Sequence, residues 1–283
     1  MMRRRWMVGT LAIGSLFAMA TGSAHGQRGP LVADRPDFTE AAATVGRGVV
    51  QLEFGYTYEY DRPGDSSGGG GRGGVWTHSL GEPLLRIGVL GERLELRLGL
   101  SPVSVGAGAD GRSFTETGME DLYLGTKLLL AEQEGLRPAL AVLPQVTVPT
   151  GSDAFTSDRT LPGVNFIYGW DLSEDVSLAG STQVNRALSD AGGGGPRGEA
   201  AEYAEWAQSA VAGFSVGARA GVYAEWFAFF HTEARGTRAE HYANGGFTWS
   251  FGDDLQWDIR AGLGLNESAT GFFAGTGLVV RFP

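Results

Sequence analysis

Residues 49–60, VVQLEFGYTYEY, alternate without a slip. Val50, Leu52, Phe54, Tyr56, Tyr58 and Tyr60 fall on one face of an extended chain, and Gln51, Glu53, Gly55, Thr57 and Glu59 on the other. A two-faced strand of this length is built either to close over a soluble core or to set its apolar face against lipid. The same rhythm recurs almost to the last residue, near 84–90, 93–101, 120–130, 136–148, 163–170, 175–186, 202–214, 218–230, 241–251, 255–265 and 272–282. That predicts about twelve strands of about ten residues, the length that crosses a bilayer at a tilt. No amphipathic helix of comparable length interrupts them.

The connections sharpen the choice. Those at 61–74, 102–118, 149–160, 187–200 and 231–240 are long, polar and rich in Gly or Ser, whereas 91–92, 131–135, 171–174, 215–217 and 252–254 are short. Long loops at one end and tight turns at the other are the layout of an outer-membrane barrel with both termini periplasmic. A soluble sandwich has no such rule, and its core would have to hold Glu, Asp and Arg on the polar strand faces, which is costly. Aromatics near strand ends, among them Trp170, Trp226, Phe230, Trp249 and Phe251, suit interfacial girdles. The expected fold is all-β: a transmembrane antiparallel barrel of about twelve strands, between ten and fourteen. The barrel is expected over 48–283.

The N-terminus reads as an export signal over residues 1–26: Arg3, Arg4 and Arg5, an apolar stretch from Met7 to Ala20, and Ala24-His25-Gly26 before a cut at Gln27. Elsewhere no apolar run is long enough for a membrane helix. Removing the leader leaves 19 basic against 32 acidic residues, a net charge of −13. That acidity argues against nucleic-acid partners, because a phosphate backbone needs a basic face. There are no cysteines, so no disulfide framework or cysteine zinc site is possible. The expected surroundings are outer-membrane lipid and the barrel assembly machinery.

Ahead of the first strand lies ADRPDFTEAAATVGRGVVQLEFGYTYEYD. Asp34-Arg35-Pro36-Asp37-Phe38-Thr39-Glu40, a small-residue link, and Gly46 and Gly48 before an aromatic-rich strand resemble the opening of the MetA-pathway-of-phenol-degradation family of outer-membrane transporters. The GERLELRLG hairpin and the Pro-Thr-Gly after the fifth strand agree with it in layout. The resemblance implies an outer-membrane barrel and channel-like transport, and it names no solute. Such barrels generally end on an aromatic residue that the assembly machinery reads. Here Phe282 precedes Pro283, a departure that bears on recognition and not on fold.

Strand parity nominates a lumen set: Gln51, Glu53, Glu59, Arg86, Glu95, Arg97, Asp121, Lys127, Arg137, Arg219, Glu225, Asp258 and Arg260. Interleaved charges in a narrow barrel either pair across the lumen or line a polar path for a small solute. Asp34, Arg35, Asp37 and Glu40, in the periplasmic N-terminal segment 27–47, either fold up as a plug or lie as a tether across the periplasmic mouth. The expected function is passage of small solutes, aromatic or otherwise hydrophobic ones included. The rival readings are an outer-membrane enzyme and a closed adhesive barrel. At 240–245, EHYANG, Ala243 stands where a lipase-type barrel would need its serine, so no nucleophile is available. His78, His231 and His241 read as surface histidines, and no cofactor or metal is expected.

Overall fold

A computed structural model describes residues 31–61, 74–109, 112–188, 202–232 and 238–282. The leader (1–26) and the glycine tracts at 68–71 and 192–195 lie outside the described residues. Residues 31–283 form one compact unit.

Among the described residues, fourteen strands build a single antiparallel sheet: β1 (Val50–Asp61), β2 (Val75–Leu90), β3 (Leu94–Gly99), β4 (Pro102–Ala109), β5 (Arg112–Met119), β6 (Leu122–Ala131), β7 (Ala139–Val148), β8 (Leu161–Asp171), β9 (Val176–Leu188), β10 (Glu202–Val216), β11 (Ala220–Thr232), β12 (Glu240–Ser250), β13 (Leu255–Gly264) and β14 (Phe272–Phe282). β1 pairs with β14 on one side and β2 on the other, and β2, β3, β6 and onward continue in order to β14. The sheet thus closes on itself through twelve strands. Within that ring closure leaves no edge, which is what lets β-structure stand in hydrocarbon.

The first strand shows which face meets lipid. Gln51, Glu53 and Thr57 are buried, while the long apolar side chains of the other strands, such as Leu96, Leu98, Leu124 and Leu128, are exposed. The molecule is inverted relative to a soluble protein: Arg86, Lys127, Glu53 and Glu95 are among the best-buried large side chains of the described residues, at 0% exposure. The apolar stripe therefore faces lipid, and the charged stripe faces the lumen.

β4 and β5 correct the expected loop at 102–118. They form a hairpin that continues the wall on the extracellular side, with β4 paired to the outer half of β2, Val75–Ser79, a stretch not anticipated as strand. In Val103-Ser-Val-Gly-Ala-Gly-Ala109 the alternation is carried by residues too small to register as an apolar face. β2 changes partner from β3 to β4 at Gly81-Glu82, where both residues have positive φ and the β1 register shifts. Such irregularities bend a strand and re-aim a side chain. Here the carboxylate of Glu82 is turned onto Arg35 at 2.6 Å.

Candidate functional site

The site is built from residues 31–49, the chain ahead of β1, and the lumen side chains that hold them. Three lumen glutamates accept backbone N–H groups of this segment. Glu53 takes Asp34 N at 3.1 Å, Glu225 takes Phe38 N at 2.8 Å and Thr39 N at 2.7 Å, and Glu95 takes Val45 N at 2.9 Å. A loop inside a barrel lacks sheet partners for its amides, and each buried donor must be satisfied. Ionised carboxylates do this with strong, charge-assisted bonds. The segment rises to Asp37-Phe38-Thr39 and returns to the periplasmic turn, where Thr44 Oγ1 donates to Glu92 O at 2.6 Å.

On the β1–β2–β3–β6 wall the segment is held by charge. β2 and β3 place Arg86 directly opposite Arg97. Like charges facing across a ladder repel, and both side chains are almost fully buried. Asp34 lies between them: its Oδ2 is 2.6 Å from Arg97 and 3.2 Å from Arg86, and its Oδ1 is 3.0 Å from Lys127 Nζ. Glu95 grips Arg86 from the other side at 2.7 and 2.9 Å, Glu53 lies 2.8 Å from it, and Glu40 meets Arg97 at 2.7 Å. Lys127 also donates to Ala41 O at 2.7 Å. Burial opposes ionisation of Asp34, but Arg86, Lys127 and Arg97 outweigh it and hold the carboxyl well below its ordinary range.

A second grip lies near β1 and β14. The facing pair Gly55 and Gly277 leaves a slot for the guanidinium of Arg35, which a Cβ on either glycine would strike. Arg35 donates to Glu82 and to Thr276 O, and lies 3.5 Å from the fully buried Asp258. Burial opposes its charge, and Asp258 and Glu82 outweigh that, so its pKa is raised. Arg260 donates to Pro36 O at 3.0 Å and to Thr57 Oγ1 at 2.9 Å.

The far wall is aromatic. Phe38 stacks on Phe227 at 4.6 Å between centroids and 11° between planes, and meets Phe229 edge-on at 5.4 Å. Phe227 in turn stacks on Tyr242, with Phe273 against both. Beside this cluster, Asp37 is held well above the ordinary carboxyl range, first by burial and then by the charge of Glu225. A smaller apolar contact places Ala42 against Ala141, Leu143 and Ile167. Two cavities flank the segment. One of about 570 Å³, toward the extracellular end, has Phe38 and Glu40 in its lining. The other, about 410 Å³, reaches the periplasmic side and is lined in part by Pro36, Asp37 and Glu40. Glu40 thus lines both.

A family model described as "Putative MetA-pathway of phenol degradation" matches residues 33–282, including the whole segment from Ala33 and nearly all of the barrel. The chain belongs to this family. Among solved structures, a COG4313 outer membrane channel from Pseudomonas putida F1 is similar with a TM-score of 0.66 and 16% identity, over 85% of this chain and 98% of that one. The translocator domain of the autotransporter NalP from Neisseria meningitidis gives 0.56 and 13%, over 84% and 89%. The NanC porin gives 0.51 and 8%, over 82% and 100%. These likenesses are of fold. Comparison with the curated proteins finds no match.

In this family barrel the remaining nominated residues are placed as follows. Glu59 is part-buried, opposite Phe273 and Thr77, and takes no part in the contacts above. Asp121 stands between β5 and β6 and accepts Thr150 N, Gly151 N, and Ser157 N and Oγ, so it ties down the loop at 149–160. Burial raises its pKa, but the Ser157 and Gly151 bonds prevail and lower it to about 2. Arg137 and Arg219 are corrections. Arg137 sits in the exposed β6–β7 turn, paired with Glu134, and Arg219 in the exposed β10–β11 turn. Both residues lie outside the strands, where alternation no longer assigns a face. His231 and His241 face opposite ways. His231 contacts Tyr203 and Glu240, while His241 lies against Trp226 and Phe230. The residues that sequence reasoning missed are the inward aromatics Phe227, Phe229, Tyr242 and Phe273. Their signal is a run, EWFAFFH at 225–231, that is aromatic on both faces.

Proposed function

We propose that the protein is an outer-membrane channel for small solutes, hydrophobic and aromatic ones included, with residues 31–47 as a plug that closes it. Passage is by diffusion, without covalent chemistry. One observation carries the plug: two buried arginines face each other across β2 and β3 and are bridged by Asp34, a residue that does not belong to the wall. A lumen built with that repulsion favours the segment inside it. Glu40 lines cavities on both sides of the segment, which supports a position in the path between them. The fold and the family model support channel-like transport, as does the likeness to a protein described as an outer membrane channel.

The test is single-channel recording in planar bilayers, comparing the intact chain with one lacking residues 27–45. Deletion is expected to raise conductance severalfold. Unchanged conductance would sink the plug. Liposome swelling with solutes graded by size, charge and aromaticity then reads the passage itself. Swelling no faster than protein-free liposomes, for both chains and every solute, would defeat the channel.

A further inference from the structure

The aromatic wall stands out in a lumen whose other anchors, the small Ala42 contact aside, are charges and hydrogen bonds. Phe227, Tyr242 and Phe273 are each less than 9% exposed, and the ring that completes their cluster comes from the segment, not from the wall. Phe38 also offers a donor. Its N–H points at Glu225 Oε2, which the side-chain amide of Asn244 reaches as well, at 2.6 Å. Between the Phe38 ring and that nitrogen lie two carbons, so the segment presents an arylethylamine skeleton to the wall. The match is incomplete at one atom. Asn244 is 7% exposed, and its Oδ1 is buried with no hydrogen-bond partner among the described residues. A peptide N–H has one proton and serves Glu225 alone. An ammonium has three, enough for Glu225 and for that acceptor. The cavity of about 570 Å³ that Phe38 helps to line gives access from the extracellular end.

We propose that Phe38 is an internal stand-in for a ligand: the Phe227, Phe229, Tyr242 and Phe273 cluster, with Glu225 and Asn244, is a binding site for a cationic arylethylamine, whose entry displaces Phe38 and frees the tip of the segment. The ring replaces the Phe38 ring on Phe227, and the ammonium replaces the amide on Glu225. Thr39 bonds to the other carboxylate oxygen, Glu225 Oε1, so the ammonium takes an oxygen that only Phe38 gives up. This inference rests on the reading of residues 31–47 as a movable plug.

Calorimetric titration of the folded full-length barrel with 2-phenylethylammonium tests it. Phe38→Ala removes the competitor, so binding is expected to tighten about tenfold relative to the intact chain. In the Phe38→Ala background, Glu225→Gln and Phe227→Ala are each expected to lose at least about tenfold. Phenylacetate, which carries the same ring with an anion, is expected not to bind. Resistance to unfolding in detergent electrophoresis confirms that each variant is folded, and Phe38→Leu, which keeps apolar bulk without stacking, should fall between Ala and Phe. Equal affinity for intact and Phe38→Ala protein overturns the proposal. So does phenylacetate binding as tightly as the amine. Calorimetry needs no current: binding beside a 27–45 deletion that leaves conductance unchanged breaks the plug reading, whereas no binding beside a deletion that raises conductance breaks this site alone.

Discussion

The two walls that hold the segment work by different physics. On the β1–β2–β3–β6 side, three cations and the carboxylates of Asp34, Glu40, Glu53 and Glu95 form one buried network with contacts mostly between 2.6 and 3.2 Å. On the β11–β12–β14 side, stacked rings and one carboxylate receive the tip. Emptying the first wall leaves three buried cations, Arg86, Arg97 and Lys127, to the two wall carboxylates Glu53 and Glu95. The second, when emptied, leaves only apolar surface and a solvated glutamate. The charged wall therefore decides whether the segment is docked, and the aromatic wall decides how easily its tip is exchanged.

The largest effect should come from Asp34→Ala. Removing one partner of a buried ionic network leaves its charges unpaired, at about 3–5 kcal/mol. Conductance should then approach that of the 27–45 deletion. Bilayer recordings in which Asp34→Ala stays as closed as the intact chain would show that the charged wall is not the lock. Glu225→Gln should do less. It keeps the shape and weakens the charge-assisted bonds to Phe38 and Thr39 by about 1.5–3 kcal/mol, loosening the tip while Asp34 stays in place. Brief openings rather than a steady conductance rise are expected. A Glu225→Gln effect larger than that of Asp34→Ala would reverse the ranking of the two walls.

A smaller, pH-dependent effect separates the walls further. Asp34 has its folded pKa depressed, so its contribution to docking is complete above the ordinary carboxylate range and is lost only as pH falls toward the depressed value. Asp37 has its folded pKa raised, so docking is favoured in acid and penalised as pH climbs from about 3.8 toward the raised value. The groups disposed around Asp37 are Glu225 and Tyr223 on β11, Arg260 on β13 and Asp34 on the segment itself. Open probability should therefore rise in the intact chain as pH climbs from the ordinary carboxyl range toward the raised value of Asp37. Asp37→Asn should flatten that rise and keep the channel more closed at the alkaline end. An Asp37→Asn chain with the original pH profile would show that Asp37 is not the titrating group.

Most of this frame was legible in the chain, and the losses have physical causes. Alternation assigned the faces of β1, β3 and β11, because a strand inside a barrel wall has only two sides. It placed Arg86 and Arg97 on the same side but could not pair them, since their opposition depends on the β2–β3 register, which shifts between Gly88 and Leu90. Asp34, Arg35 and Glu40 were visible as charges near the first strand; the Gly55–Gly277 slot that receives Arg35 needed the β1–β14 register. The β4–β5 hairpin was missed because glycine and alanine carry little alternation signal. The inward aromatics were missed for the opposite reason: EWFAFFH is so apolar that its lumen face reads like its lipid face.

The smallest expected effects test that boundary between strand and turn. Arg137 and Arg219 share the parity of lumen residues but stand in solvent. Arg137 pairs with Glu134 across a turn, with side chains 58% and 79% exposed. An ion pair this open is worth little. Arg137→Ala and Arg219→Ala should therefore leave unfolding within about 0.5 kcal/mol of the intact chain and leave open probability and its pH profile unchanged. Contrast Arg97→Ala, which removes a buried partner of both Asp34 and Glu40 and should behave like Asp34→Ala. If either turn arginine altered conductance as strongly as Arg97, the solute path would have to include the periplasmic turns, and the lock could no longer be confined to the charged wall.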